Sequence, residues 1–357
     1  MRRLLFNLHL YTALIAAVFI VIFGVTGSIM AFEPEIDHLL HWRLAYVTPG
    51  AKALSLGEIA VVIAKKFPGE QIAGFELSTK PDLSYRVGLR SRVVYVNQYT
   101  GEVLGVRQGG IDFLGYVHQL HLRLLLLSKP RLGKQIMSWA GVAMLFLAVS
   151  GVYLWWPYKR VKVEWRGSAK RVWFDIHNVV GIFSFLFLLT LGATGVVIGF
   201  EEHTTPLFYQ ITGSEPAAPP DVSITPPPGA KAIGLDRALE IARAALPGAT
   251  PFLINAPEPK EPYYVRLRFP EDRTPGGRSS VTVDPYTEKV LFAQGSRTAP
   301  AGARVVIMNR AIHTGDIFGI PSKTLASLVS LLLALQVVSG VMMWWKRRES
   351  APGQKAG

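Results

Sequence analysis

Four stretches of this chain run without a single Lys, Arg, Asp or Glu: residues 10–32, 135–156, 179–200 and 325–345. A bilayer core about 30 Å thick needs roughly 20 apolar residues in a helix, so each stretch predicts a membrane span. The first is too long for the apolar core of a signal peptide, and no small-x-small cleavage site follows it. Phe32-Glu33-Pro34-Glu35 reads instead as a helix end, so this run is taken as an uncleaved span.

Between the spans the pattern changes. Leu56–Lys66 and Leu235–Ala245 carry apolar residues at helical spacing, and each is followed by a Pro-Gly pair, Pro68-Gly69 and Pro247-Gly248. Alternating runs come next, at 84–89 and 92–96 in the first segment and at 263–269 and 280–283 in the second. Alternation of period two bounded by polar turns predicts β-hairpins. Each soluble segment is therefore expected to be one helix against a small antiparallel sheet. The Pro-rich stretch 215–228 is expected to be an irregular linker.

The chain repeats itself. From His9 to Thr26 and Gly27 is 17 and 18 residues, and from His177 to Thr194 and Gly195 is again 17 and 18. Both spans then end in Phe-Glu, at Phe32-Glu33 and Phe200-Glu201. The turn 97–103 (NQYTGEV) matches 284–290 (DPYTEKV). His121 precedes the second span and His313 the fourth, each leading to a Ser-Gly pair (Ser150-Gly151, Ser339-Gly340) and a Trp pair. His121 to Gly151 is 30 residues and His313 to Gly340 is 27, a difference that an insertion near 128–132 accounts for. Two spans per copy give both copies the same orientation, related by a pseudo-two-fold axis along the membrane normal.

Charge sets the orientation. Arg2 and Arg3 precede the first span, Lys159, Arg160, Lys162, Arg166, Lys170 and Arg171 lie between the second and third, and Lys346, Arg347 and Arg348 follow the fourth. All three clusters fall on one side, which the positive-inside rule makes cytoplasmic. The long segments then face the periplasm, in a bacterium with two membranes. Trp155-Trp156 and Trp344-Trp345 sit where an interfacial aromatic belt is expected. The net charge of +13 is partly this signal. Its basic residues do not gather into one soluble patch, which argues against nucleic acid as a partner.

Composition narrows the chemistry. Half of the residues are hydrophobic and mean hydropathy is +0.28. The absence of Cys excludes disulfides, thiolate metal sites, iron–sulfur clusters and covalently attached haem. Of eight His, those at 9, 177, 121 and 313 occupy matched positions. The two-fold axis brings His9 to face His177 at the cytoplasmic level and His121 to face His313 at the periplasmic level. That suits one haem per level, each iron held by two neutral imidazoles. The four Ser/Thr-Gly pairs are expected to leave room for a flat macrocycle. His118, three residues before His121, shares its helix face and is a rival ligand; His121 leaves the smaller insertion between copies.

Other features have plainer expectations. His38, His41 and His203 read as surface residues just outside the membrane. Arg86, Arg90, Arg92, Arg266 and Arg268 read as a solvated sheet face rather than an anion site. Glu33, Glu35, Asp37, Glu201 and Glu202 read as acidic helix ends. Nucleotide-binding and Ser/His/Asp motifs are absent.

These motifs resemble the PepSY-associated transmembrane family, also described as iron-regulated membrane proteins. The resemblance is carried by Leu8-His9, Leu120-His121, residues 150–157 (SGVYLWWP), Ile176-His177-Asn178, Ile312-His313-Thr314-Gly315, and by residues 99–103 (YTGEV) in a PepSY-like soluble unit. It covers nearly the whole chain. It implies an α-helical membrane protein with a four-helix transmembrane bundle and two periplasmic α+β PepSY-like domains, arising from an internal duplication. The expected layout is a first span in 1–32, PepSY-like domain 1 in 33–133, a second span in 134–157 and a cytoplasmic loop in 158–178. A third span in 179–200, PepSY-like domain 2 in 201–321, a fourth span in 322–346 and a cytoplasmic tail in 347–357 complete it.

The family includes inner-membrane reductases of the ferrioxamine reductase type, which bind two b-type haems and reduce siderophore-bound ferric iron in the periplasm. The resemblance thus implies two haem b groups, with His9, His177, His121 and His313 as iron ligands and His118 beside them. It implies membrane lipid, a ferric siderophore or other ferric chelate, and a cytoplasmic or quinol electron donor as partners. The alternative is a non-catalytic PepSY membrane protein that binds a peptide, protease or envelope partner. A transporter fits less well, because the spans carry no intramembrane charge.

Overall fold

The computed structural model describes residues 1–108, 112–217 and 224–349. Residues 218–223 of the expected linker and 350–357 of the expected tail lie outside the described residues. The chain divides into two compact units, each built from separated pieces: Met1–Glu33, Asp112–Leu207 and Met308–Gly357 in one, Pro34–Ile111 and Phe208–Ile307 in the other.

The first unit is a helical bundle. Its four long helices are α1 (Arg2–Met30), α6 (Pro130–Trp155), α7 (Ala169–Gly199) and α11 (Ile320–Glu349), and each contains a stretch long and apolar enough to cross a bilayer. α1 packs on α6 and α11, and α7 packs on the same two helices. α1 and α7 are therefore diagonal to each other, as are α6 and α11. Side chains on α1, α6, α7 and α11 meet in a central plug of Ala16, Ile20, Met144, Leu188, Val329 and Leu333. Ile15, Val18, Phe183 and Leu186 point outward and are exposed, as lipid-facing positions must be.

Small residues set the helix spacing. A Cβ on Gly24 would lie 2.6 Å from the Ser330 carbonyl oxygen, and one turn further the Ser28 and Ser327 hydroxyls meet at 2.8 Å. Both contacts need close backbones, which small residues permit.

α1 and α7 begin about two and three turns before the apolar runs at 10 and 179. Hydropathy marks the part of a helix that needs hydrocarbon, whereas the helix continues into the interface, where Ser168 caps α7 by accepting from Arg171 N at 3.4 Å. His9 and His177 are thereby held on regular helix. His121 and His313 lie on separate shorter helices, α5 (Phe113–Arg123) and α10 (Ala301–His313). Asp112 caps α5 through Gly115 N at 2.7 Å. α5 ends on Leu124 and Leu125, both left-handed, while Gly315 and Gly319 take positive φ between α10 and α11.

The second unit is a two-layer α+β structure. It holds α2 (Glu33–Leu40, all but its first residue), α3 (Trp42–Ala45), α4 (Leu56–Lys66), β1 (Ile72–Glu76), β2 (Tyr85–Leu89), β3 (Arg92–Val96) and β4 (Val103–Gln108). The later segment adds the end of α8 (Glu201–Thr212), α9 (Leu235–Ala245), β5 (Thr250–Asn255), β6 (Tyr263–Arg268), β7 (Ser279–Val283) and β8 (Val290–Gln294). The sequence-expected helices and hairpin strands fall on α4, α9, β2, β3, β6 and β7.

The two expected small sheets are joined. The strand order is β4-β3-β2-β1-β5-β6-β7-β8, a palindrome about the antiparallel β1–β5 seam, where Phe75 pairs with Ile254. Gly74 is needed there, since a Cβ would meet the Ile254 carbonyl oxygen at 2.7 Å. α4 and α9 share one core with this sheet: Ile59, Ile63, Val87, Val94, Ala238, Ala242, Val265, Leu267 and Val281 are fully buried. The two helices are tied end to end as well, because the Asp236 carboxylate accepts Leu56 N at 2.7 Å and Gly57 N at 2.9 Å. On the opposite face α3 contacts β3 and β4, and Arg107 donates to Tyr95 Oη and Asp37, both at 2.8 Å.

The related turns are built alike. Asn97 Oδ1 accepts Tyr99 N at 2.9 Å and Asp284 Oδ1 accepts Tyr286 N at 2.8 Å. Each tyrosine hydroxyl then donates to a carbonyl, Pro81 or Pro259, at 2.9 Å.

Candidate cofactor-binding site

The diagonal placement of α1 and α7 brings His9 and His177 to one cavity inside the bundle, of about 620 Å3. That lies within the range of about 300–1,000 Å3 typical of small-molecule sites. Its wall is largely apolar, with Phe6, Leu147, Phe174 and Phe185 among its lining and Ile20, Met144, Leu188 and Leu333 of the plug at its inner end. Beyond the plug, α5 and α10 bring His121 and His313 together, with ring centroids 6.4 Å apart and planes at 54°.

Each imidazole is held in the same way, by the Ser/Thr-Gly pair of its own half of the chain. His9 Nδ1 lies 2.8 Å from Ser150 Oγ, and His121 Nδ1 lies 2.8 Å from Thr26 Oγ1. His177 Nδ1 lies 3.1 Å from Ser339 Oγ, and His313 Nδ1 lies 3.1 Å from Thr194 Oγ1. The adjoining glycines make room for the ring edge. A Cβ would stand 3.5 Å from Cε1 of His9 at Gly151 and of His121 at Gly27, 3.3 Å from that of His177 at Gly340, and 3.0 Å from that of His313 at Gly195. The glycines thus admit the edges of the imidazoles.

These contacts fix the tautomer. A hydroxyl has one proton to give. Ser150 gives it to the Phe146 carbonyl at 2.6 Å, Thr194 to the Thr190 carbonyl at 2.7 Å, Ser339 to the Gln336 carbonyl at 2.9 Å, and Thr26 to the Ile22 carbonyl. Each hydroxyl oxygen is left as an acceptor, so the proton between it and the ring sits on Nδ1. Carbonyls repeat the demand at two rings: Gln336 O lies 3.1 Å from His177 Nδ1, and Leu191 O lies 3.2 Å from His313 Nδ1. A neutral imidazole protonated on Nδ1 carries its lone pair on Nε2. All four rings therefore keep their lone pair on Nε2, with the other nitrogen fixed by a hydroxyl.

His118 has a different setting. It is partly exposed and pairs with Glu33 at 3.1 Å, while His121, three residues on, enters the cradle. Among the other histidines, His41 pairs with Asp37 at 3.1 Å, His38 stacks edge-on against Tyr46, and His203 is exposed. Burial, aided by the Arg86 charge, holds His38 below the ordinary imidazole value. The arginines of the sheet are engaged within the unit. Arg86 pairs with Glu76, Arg92 with Glu70 at 3.3 Å, Arg266 donates to the Gly276 carbonyl at 3.2 Å and Arg268 to the Asp272 carbonyl at 3.1 Å, while Arg90 is exposed. Of the acidic helix ends, Glu201 pairs with Lys134 at 2.7 Å.

Sequence reasoning passed over two contributors. Gln336 donates to the His177 carbonyl at 2.9 Å, and Asn309 to the Thr194 carbonyl at 3.2 Å. Gln336 had a signal: it is the single amide side chain in the apolar run 325–345. Among the described residues no group of three or more His, Asp or Glu gathers as a metal-ligating cluster. The chain brings two imidazoles together at each level.

Four long apolar helices enclosing paired imidazoles define an integral membrane protein with a separate α+β part. The chain belongs to the family described as the PepSY-associated TM region, whose profile matches residues 6–347. Among curated proteins the comparison finds no match.

Proposed function

We propose that this protein is a haem-containing inner-membrane reductase that passes electrons across the membrane to periplasmic ferric siderophore iron. The observation that carries the reading is the set of four imidazoles with Nδ1 fixed by back-bonded hydroxyls, in two facing pairs on either side of the apolar plug. Two imidazole nitrogens at a level would leave a metal short of ligands, which a tetrapyrrole would supply. A haem bound at each pair would supply a one-electron couple. The chain's own residues orient the two ligand nitrogens, exclude water with an apolar wall, and separate the two levels by the plug.

The orientation is part of the proposal. The basic clusters at the start of α1, between α6 and α7, and at the end of α11 are taken as cytoplasmic, and the α+β unit as periplasmic. The palindromic sheet and the matched cradles support an internal duplication. Reduction frees the metal because Fe(II) binds hard oxygen donors far more weakly than Fe(III).

Visible spectra of the purified protein, oxidised and reduced, test the reading. Two b-type haems per chain are expected, and His9→Ala with His177→Ala removes one of them while leaving the other. Protein made with ample haem that shows no reduced haem bands would sink the idea and favour the non-catalytic alternative.

A further inference from the structure

The cavity at His9 and His177 is lined by three cations, Lys170, Arg171 and Arg347, and by no Asp or Glu. Arg171 Nε donates to Asp175 Oδ2 at 2.8 Å, and Asp175 is fully buried. The same carboxylate oxygen accepts Glu164 N at 3.2 Å, so Asp175 fixes both the arginine and the loop before α7. The Arg171 Nη atoms carry no hydrogen bond among the described residues. Arg347 lies over the Phe6 ring, 5.7 Å from its centroid, and Phe6 itself lines the cavity. One carboxylate against three cations leaves two positive charges at the rim of an apolar chamber. Arg171 is half-buried while Lys170 and Arg347 are open to solvent at the rim, and guanidinium forks suit planar carboxylates.

We propose that Lys170, Arg171 and Arg347 form a dicarboxylate-binding rim, which takes the two propionates of the planar ligand held by His9 and His177. The inference rests on the haem reading above and adds an orientation to it: the ligand enters edge-on, with its carboxylates on the side of the 158–168 loop and its apolar edge toward the plug. Asp175 is a positioning residue, acting through Arg171. The rival source of the same chemistry is an anionic lipid headgroup seated on the rim.

The test uses the full-length protein in detergent, produced without haem and then loaded with iron protoporphyrin or with its dimethyl ester, which lacks free carboxylates. Variants are Lys170→Gln with Arg347→Gln, and Arg171→Gln with Asp175→Asn, the second pair leaving no buried carboxylate unpaired. Each variant is expected to hold iron protoporphyrin at the His9/His177 level at least tenfold less tightly and at a lower midpoint potential. The His121/His313 level is expected to load normally, which reports an intact fold. With the dimethyl ester, wild type and variants are expected to be alike.

Variants that match wild type in affinity and potential overturn the rim. So does a loss that persists with the ester, or one that anionic lipid supplied to wild type reproduces by competition. Wild-type protein that takes up no haem at all removes the underlying reading together with this one. Loaded wild type with indifferent variants removes only the rim.

Discussion

Ser150 Oγ stands 2.8 Å from His9 Nδ1 while giving its own proton to the Phe146 carbonyl at 2.6 Å. One hydroxyl therefore decides which nitrogen of the imidazole is a donor and which keeps the lone pair. The ring has this single outer partner, as does His121, whereas His177 and His313 each have a carbonyl as well. Removing an outer-shell partner typically costs about 10–100-fold in metal affinity or activity. Ser150→Ala and Thr26→Val are expected to sit in that range, with a raised midpoint potential and altered low-spin ferric resonance. Ser339→Ala and Thr194→Val are expected to do less. Ser150→Thr should restore the wild-type spectrum, and equal effects at all four positions would contradict the tautomer argument.

The glycines make a graded series. An added Cβ would be 3.0 Å from His313 at Gly195 but 3.5 Å from His9 and His121 at Gly151 and Gly27. Gly195→Ala is expected to displace His313 and empty the His121/His313 level. Gly27→Ala should leave haem content within about twofold of wild type, since 3.5 Å is ordinary carbon contact. Haem quantified per chain decides it.

Asp236 joins two helices that are far apart in sequence, accepting two backbone N–H groups at the start of α4. Loss of such a cap costs about 1–2 kcal/mol, with the helix dipole adding to the charge. Asp236→Ala should lower the Tm by about 2–4 °C per kcal/mol. Asp236→Asn is expected to recover part of the loss, because one of its side-chain oxygens still accepts.

The matched turns differ at four of seven positions, and at one of these the backbone is left-handed in both. Gly101 has φ +76°, and its counterpart Glu288 holds φ +60° with a side chain. A non-glycine residue there costs roughly 1–2 kcal/mol, against an exposed ion pair with Arg237 that solvent screens. Glu288→Gly is expected to raise Tm slightly, and Gly101→Ala to lower it. Thermal scans of both variants in the same detergent compare the two signs.

Orientation is directly measurable, because a chain without Cys accepts single reporters. Lys162 and Glu102 are both exposed. A membrane-impermeant maleimide applied to intact spheroplasts should label Glu102→Cys and spare Lys162→Cys until the membrane is opened. The reverse pattern would invert the proposed topology.

Much of this was legible along the chain. Uncharged runs gave the four spans, and helical spacing gave α4 and α9 to the residue, because Ser55, Glu58 and the Pro-Gly pairs mark their ends locally. The matched histidine spacing pointed to the four imidazoles. What stayed hidden depends on contacts between distant residues. Nothing local says that β1 will pair with β5, or that Asp236 will cap α4 rather than only begin α9. The Ser/Thr-Gly pairs were visible, but their use was not, since a small residue reads alike whether it admits a ring edge or a macrocycle. α5 and α10, which carry His121 and His313 outside the long apolar runs, were not read as helices from the sequence. Arg171 looked like one more topogenic charge until the buried Asp175 aimed it at the cavity.

The seam between β1 and β5 also dictates an order of events during synthesis. Leu56 and its capping partner Asp236 are 180 residues apart, and α6 and α7 are both made in between. Until Ile254 is delivered, β1 is a bare strand edge, open to pairing with whatever strand it meets. The first half of the sheet must therefore wait, shielded, while two more helices enter the bilayer. On the proposed topology, assembly of the α+β unit is then a checkpoint on α6 and α7, passed before α11 is made: a chain that fails to insert α7 correctly has no means of closing its sheet.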